Sequence, residues 1–232
     1  MDLWWNARLE MILDKMDTYK PNRTINKKQH WDDIYANSPQ EKLGWFENDL
    51  SPTIQLLSKT GLDTTARTLI IGAGSTTLVD ELIKQEYSNI IATDISKVAL
   101  DNLQQRVNNL SIEYIIDDLT KPSKLSSIEP IDLWIDRAVL HFFTEENERT
   151  TYFNLLKRKV KEGGFVLLAQ FSLNGASKCS GLPLYRYSKE MLQSSLGDRF
   201  SLIDSFDYIY TMPSGDIRPY IYTLFKYKSR LY

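Results

Sequence analysis

Three groups of residues have the types and spacing that chemistry requires. The first is Gly72-Ala73-Gly74-Ser75, set between an apolar run and a stretch of helical spacing. Glycine permits a tight turn and close backbone approach, and the following helix offers unpaired N–H groups. Thr77 stands where the dinucleotide fingerprint has its third glycine, which argues against a pyrophosphate ligand. Taken alone, the loop also reads as a plain tight turn. Asp94 adds specificity, because it ends the next apolar run, where a carboxylate can accept both hydroxyls of a ribose. Its other possible role, helix capping, is already filled by Ser96. The second group, Asp117-Asp118, ends a third run and offers a carboxylate or loop backbone to an adenine amino group. The third is Asp136-Arg137 with His141 one turn further. Asp136 is the first choice for a catalytic carboxylate on the substrate side, and His141 reads as a base or a satisfied loop histidine. Arg137 serves a substrate or pairs with a distant carboxylate. Cys179 lacks an adjacent base and reads as structural.

The elements that must hold these groups alternate. Thr68–Ile71, Asn89–Thr93, Ile112–Ile116, Ile131–Ile135 and Phe165–Phe171 read as strands. Leu78–Gln85, Lys97–Val107 and Glu145–Lys161 read as helices between them, with Ser96 as a cap. Such alternation predicts a parallel sheet with helices on both faces and its ligand at the strand C-terminal edge. Phe200–Tyr210 and Tyr220–Tyr227, joined by Met212-Pro213-Ser214-Gly215, predict an antiparallel hairpin that closes the sheet. Ahead of the sheet the chain is aromatic and helical: a short helix using Leu3, Met11, Ile12 and Met16 is broken at Pro21-Asn22. Others follow at Trp31–Ala36 and from Ser51-Pro52 to Lys59. Residues 1–63 are expected to form a helical cap segment and 64–232 the main domain.

In their order, Gly72-Ala73-Gly74-Ser75, Thr93-Asp94-Ile95-Ser96, Asp117-Asp118, Ile131–Ala138 and Gly163-Gly164 resemble the class I S-adenosylmethionine-dependent methyltransferases. Asp136-Arg137-Ala138 with Cys179-Ser180-Gly181-Leu182 resembles a bacterial group of that family. The same region is similar to thiol and thiopurine methyltransferases, and to lysine methyltransferases acting on elongation factor or citrate synthase. The resemblance implies a Rossmann-like three-layer α/β/α sandwich, with a mostly parallel seven-stranded sheet and a C-terminal antiparallel hairpin. It implies S-adenosylmethionine as cofactor, held by Gly72, Ala73, Gly74, Ser75, Asp94, Ile95, Asp117, Asp118, Leu119 and Asp136. His30–Tyr35 resembles the family's amino-terminal element, which places Trp31 and Tyr35 over the methionine end. Ile70 stands where the family carries an acid, so amine recognition falls to backbone carbonyls or another carboxylate.

In-line transfer from a sulfonium needs mainly an aligned nucleophile. Trp45, Phe46, Arg137 and His141 are the expected substrate-side residues, with Asp136 or His141 assisting an amine. The acceptor is an N or S nucleophile of a small molecule, which the many aromatics would enclose, or alternatively a protein lysine. Two further readings are a methyltransferase-like binding protein without catalysis and a nicotinamide oxidoreductase; the latter explains the first two motifs but not the later ones.

Composition excludes other classes. A net charge of -2 over 232 residues gives no basic field for nucleic acid or an anionic membrane. One cysteine permits no internal disulfide, and two distant histidines make no zinc cluster. No run is long and apolar enough to span a bilayer and the start does not resemble a signal peptide, so a soluble cytoplasmic protein is expected.

Overall fold

The structure, a computed structural model, describes residues 26–109 and 111–229. The expected helix through Leu3, Met11, Ile12 and Met16, with its break at Pro21-Asn22, lies outside the described residues.

Seven strands form the main sheet: β1 (Thr68–Ile71), β2 (Ile90–Asp94), β3 (Glu113–Ile116), β4 (Ile131–Arg137), β5 (Val160–Phe171), β8 (Phe200–Thr211) and β9 (Ile217–Tyr227). Their spatial order is β3-β2-β1-β4-β5-β9-β8. The first five pair in parallel, and β9 runs antiparallel to both β5 and β8. Strand order reverses between β1 and β4, and such a switch point opens a crevice at the strand C-termini. Two short strands, β6 (Lys178–Cys179) and β7 (Leu182–Pro183), make a separate small hairpin.

Alternation along the strands divides the core into two layers. Leu69, Ile71, Trp134, Val166 and Leu168 face α5 (Glu146–Lys159) and α6 (Lys189–Leu196), which contribute Tyr152, Leu155, Leu156, Leu192 and Leu196. Ile70, Ala92, Leu133, Ile135 and Leu167 face α2 (Ser51–Leu57), α3 (Leu78–Lys84) and α4 (Lys97–Val107), which contribute Leu56, Val79, Leu82, Leu100 and Leu103. The architecture is the expected three-layer sandwich. Helix α1 (Lys27–Asn37) lies against α4 outside these layers and has no fully buried residue.

Most boundaries fall within two residues of the sequence reading, but β5 starts at Val160 and not Phe165. Gly163 and Gly164 lie inside that strand, and a Cβ on Gly164 would stand 2.9 Å from the Asp132 carbonyl. The glycines therefore allow strand passage where they had suggested a boundary. Helix α6 and the β6–β7 hairpin had no expectation.

The β1–α3 loop turns at Gly72, whose φ is 61°. A Cβ there would lie 2.2 Å from Val139 Cγ2, on the loop after β4. Gly72→Ala combines a left-handed conformation with overpacking and is expected to cost about 2–4 kcal/mol. Urea denaturation checks this: a midpoint unchanged from wild type would mean that Val139 gives way freely.

Candidate functional site

One pocket runs along the C-terminal edge of β2, β1, β4 and β5, with about 920 Å³ of empty space, part of it open to solvent. Thr93, Asp94 and Ile95 line it from the end of β2, and Asp117, Asp118 and Leu119 from the end of β3. Gly72, Ala138 and Val139 line its middle, where the β1 and β4 loops touch. His141, Phe171, Cys179, Tyr220, Arg137 and Trp45 wall the far end. Trp31, Tyr35 and Lys27 of α1 complete the wall beside Phe142 and Phe143.

The roof follows from helical spacing, since positions four apart share a face. Trp31 contacts Trp45 and Phe142 edge-to-face, with centroids 5.3 and 5.0 Å apart, and Tyr35 meets Trp45 at 5.9 Å. Polar tethers fix α1 to the body: Ser96 Oγ donates to Asp32 at 2.6 Å, and Lys27 pairs with Glu148 at 2.6 Å. From the segment after α1, Gln40 donates to the Ser75 carbonyl at 2.9 Å.

Asp94 accepts from Gly74 N at 3.1 Å and from Ser96 N at 2.8 Å, one bond to each oxygen. An ionised carboxylate has about four acceptor sites, so capacity remains for two further donors. Burial pushes its pKa up to about 6 against the pull of these backbone bonds. Asp117 is a loop organiser: its carboxylate accepts from Leu125 N at 2.8 Å and from Ser123 Oγ at 3.0 Å. Asp118 likewise accepts from Thr120 N at 2.8 Å and Oγ1 at 2.7 Å. Neither carboxylate is simply solvated.

Asp136 differs from its expected place as catalytic and cofactor-holding carboxylate. It is fully buried and absent from the pocket wall. Its oxygens accept from Tyr152 Oη at 2.7 Å, Gln170 Nε2 at 2.8 Å, Val139 N at 3.0 Å and Leu140 N at 3.2 Å. Burial still raises its pKa to about 6. Strand alternation explains the difference: Asp136 falls on the α5 side of β4 and Arg137 on the other.

Arg137 reaches the pocket but is bound within the protein. Its Nε lies 2.7 Å from Glu47 and donates to Tyr222 Oη at 3.2 Å, while Nη1 donates to the Trp45 carbonyl at 3.0 Å. Its guanidinium sits 4.8 and 5.1 Å from the Tyr210 and Tyr220 ring centres. Burial alone would favour loss of its proton; Glu47 and the tyrosines outweigh that and hold it charged.

His141 is also unlike the expected base. Burial pushes its pKa down to about 3, so the ring is neutral. Its Nδ1 accepts from Phe171 N at 3.5 Å, which leaves the hydrogen on Nε2 and makes the free nitrogen a donor.

The pocket thus brings together Trp31, Tyr35, Trp45, Gly72, Asp94, Ile95, Asp117, Asp118, Leu119, Arg137 and His141. It leaves out Ala73, Gly74, Ser75, Phe46 and Asp136. Ala73 is core, and Gly74 lies so close under Tyr35 that a Cβ would stand 2.5 Å from its hydroxyl. Ser75 is buried, with its carbonyl taken by Gln40. Phe46 contributes its backbone carbonyl, which accepts from the Tyr210 hydroxyl. Sequence reasoning missed Lys27, Phe142, Phe143, Phe171, Tyr220 and the partner carboxylate Glu47. Lys27 was legible as one turn before Trp31, and Phe171 as the end of a strand at the ligand edge. Tyr220 and Glu47 had no local signal. Ile70 is packed in the core, so no acid stands two residues ahead of Gly72.

Among the described residues no group of three or more His, Cys, Asp or Glu is placed to hold a metal, and no helix is long and apolar enough to cross a membrane.

Residues 69–164 match the family model described as a methyltransferase domain. Over those residues the chain carries a methyltransferase domain. The methyltransferase is 23% identical over 172 residues to EEF1A lysine methyltransferase 2 of Danio rerio, covering 66% of this chain and 72% of that protein. The Mus musculus protein of the same name is 25% identical over 173 residues, covering 66% and 68%. In fold, the methyltransferase is similar to a SAM-dependent methyltransferase from Anabaena variabilis, with TM-score 0.71, 14% identity and 87% and 93% of the chains covered. It is also similar to the N-methyltransferase NodS of Bradyrhizobium japonicum solved with S-adenosylhomocysteine, with TM-score 0.66, 14% identity and 88% and 100% covered.

Asp136→Ala would leave Tyr152, Gln170 and two backbone N–H groups unsatisfied in the interior. The variant is expected to lose about 3–5 kcal/mol of stability. A thermal melt checks it. Wild-type melting with turnover lost would return Asp136 to the chemistry.

Proposed function

We propose that the methyltransferase acts on an N or S nucleophile of a small molecule held at the aromatic end of its pocket. One observation carries this reading. That end is walled by Trp45, Phe171, Tyr220 and His141; among the described residues its cation, Arg137, is already paired with Glu47 and no carboxylate lines it. A lysine ammonium must shed a proton and its hydration to react, and nothing there receives either. The similarity to lysine methyltransferases supports the second reading, a protein acceptor.

The residues present fit the cofactor. Asp94 keeps acceptor capacity for ribose hydroxyls, the Asp117–Leu119 loop offers backbone to adenine, and the Gly72 turn leaves backbone at the pocket middle. Trp31 and Tyr35 cover the methionine end, with Ile95 beside the ribose. The backbone carbonyls ending β1 take the amine that Ile70 cannot. When bound, the cofactor supplies a methyl group already activated by its sulfonium. The chain's own residues orient the acceptor, exclude water with the aromatic roof, and place π faces around the cation. Of the segment read as a cap, 1–63, α1 covers the pocket, whereas α2 packs into the sheet's own helical layer with the domain read as 64–232.

Ribose hydroxyls bind the ionised carboxylate, and Asp94 titrates near 6. The protonated form grows as pH falls through that value, so S-adenosylhomocysteine is expected to bind about tenfold more weakly at pH 5 than at pH 7.5. Isothermal calorimetry reads this. Asp94→Asn should flatten the dependence and Asp94→Ala should abolish saturable binding. Normal binding by Asp94→Ala would sink the ribose assignment.

The acceptor is tested with labelled cofactor against lysate divided into protein and small-molecule fractions. Label is expected in the small-molecule fraction; transfer confined to protein lysine would establish the second reading.

A further inference from the structure

Arg137 and His141 each bury an N–H that no group among the described residues accepts: Nη2 of the arginine and Nε2 of the histidine. Both side chains line the same end of the pocket. Buried polar groups are nearly always hydrogen-bonded, so unmet ones gathered on a single wall, with Trp45 Nε1 as a third, call for a partner beyond the described residues. The other nitrogens are committed. Arg137 Nε and Nη1 go to Glu47, Tyr222 and the Trp45 carbonyl, and His141 Nδ1 accepts from Phe171. What remains on these two side chains is two donors and no acceptor.

Their surroundings restrict the partner further. Phe171 and Tyr220 meet edge-to-face, with centroids 4.8 Å apart, beside the two donors. Aromatic walls of this kind favour a flat, apolar body. Asp94, Asp117 and Asp118, the acids of the pocket, belong to the far side at the ends of β2 and β3. Glu47 already balances Arg137, so the wall offers hydrogen bonds without a free positive charge.

We propose that this end of the pocket selects acceptors bearing a hydrogen-bond-accepting oxygen, carbonyl or carboxylate, on a planar conjugated ring. Arg137 Nη2 and His141 Nε2 hold that oxygen. The inference rests on the small-acceptor reading and names its substrate class. A protonated amine presents only donors to these donors and is rejected, which is discrimination by unmet hydrogen bonds as well as by shape.

The test uses the protein saturated with S-adenosylhomocysteine and three probes that share one ring: benzamide, benzoate and benzylamine. Ligand-observed NMR is expected to show saturable binding of benzamide or benzoate at millimolar concentration and none of benzylamine. The two oxygen probes separate a carbonyl from a carboxylate as the preferred group. His141→Phe keeps the ring and removes the donor; it should weaken the oxygen probe at least tenfold and leave S-adenosylhomocysteine affinity within twofold. Arg137→Lys, which keeps a cation for Glu47, should weaken the probe in the same way. Binding of benzylamine as well as benzamide would overturn the proposal, as would failure of both oxygen probes. Equal weakening of S-adenosylhomocysteine by His141→Phe would assign the donors to the cofactor's carboxylate and overturn it too. Failure of the small-acceptor reading shows separately, as label on protein in the lysate experiment.

Discussion

A single buried carboxylate organises the centre of this methyltransferase. Asp136 sits at the end of β4 with no exposure to solvent, a position that costs several kcal/mol unless every acceptor site is used. Four donors use them: a tyrosine from α5, a glutamine from β5 and two backbone N–H groups of its own loop. Because the donors come from three elements, the loop that follows has one permitted course. That course takes Ala138 through φ 69° and brings Val139 against Gly72. Gln170 also accepts from His141 N, so the knot fixes the histidine as well. The pocket middle is thus set from beneath, by a group that never faces it.

The neighbouring residue does the opposite work. Arg137 points to the other face of β4 and joins two distant parts of the chain: Glu47 and Trp45 from the segment before α2, and Tyr210, Tyr220 and Tyr222 from the terminal hairpin. Two adjacent residues of opposite charge therefore anchor opposite layers. Neither charge is exchangeable for the other, since one is satisfied by hydroxyl and amide donors and the other by a carboxylate and ring faces.

This division explains what could be read from the sequence. The β/α alternation, the Ser96 cap and the glycine turn depend on residues near in sequence, and each was legible. Asp94 was legible too, because its place at a strand end depends only on the length of one β/α unit. The Asp136-Arg137 pair was visible as a motif, but its roles depend on which face of β4 each side chain takes and on what waits there. Tyr152 and Gln170 lie 16 and 34 residues from Asp136, and Glu47 lies on the other side of the glycine loop. Phe46 and Trp45 show the same limit at smaller scale: of two adjacent aromatics only Trp45 lines the pocket, and nothing local in the sequence decides which.

The roof carries a kinetic consequence. Helix α1 buries none of its residues completely and is held by a few polar tethers and ring edges, whereas the walls beneath it belong to the two-layer core. Local opening costs least where apolar burial is least. Tyr35 stands over Gly74, so the cover of that loop depends on the seating of α1. Local opening at α1 is thus the least costly way to uncover the pocket, and Trp31 and Tyr35 would leave together with it.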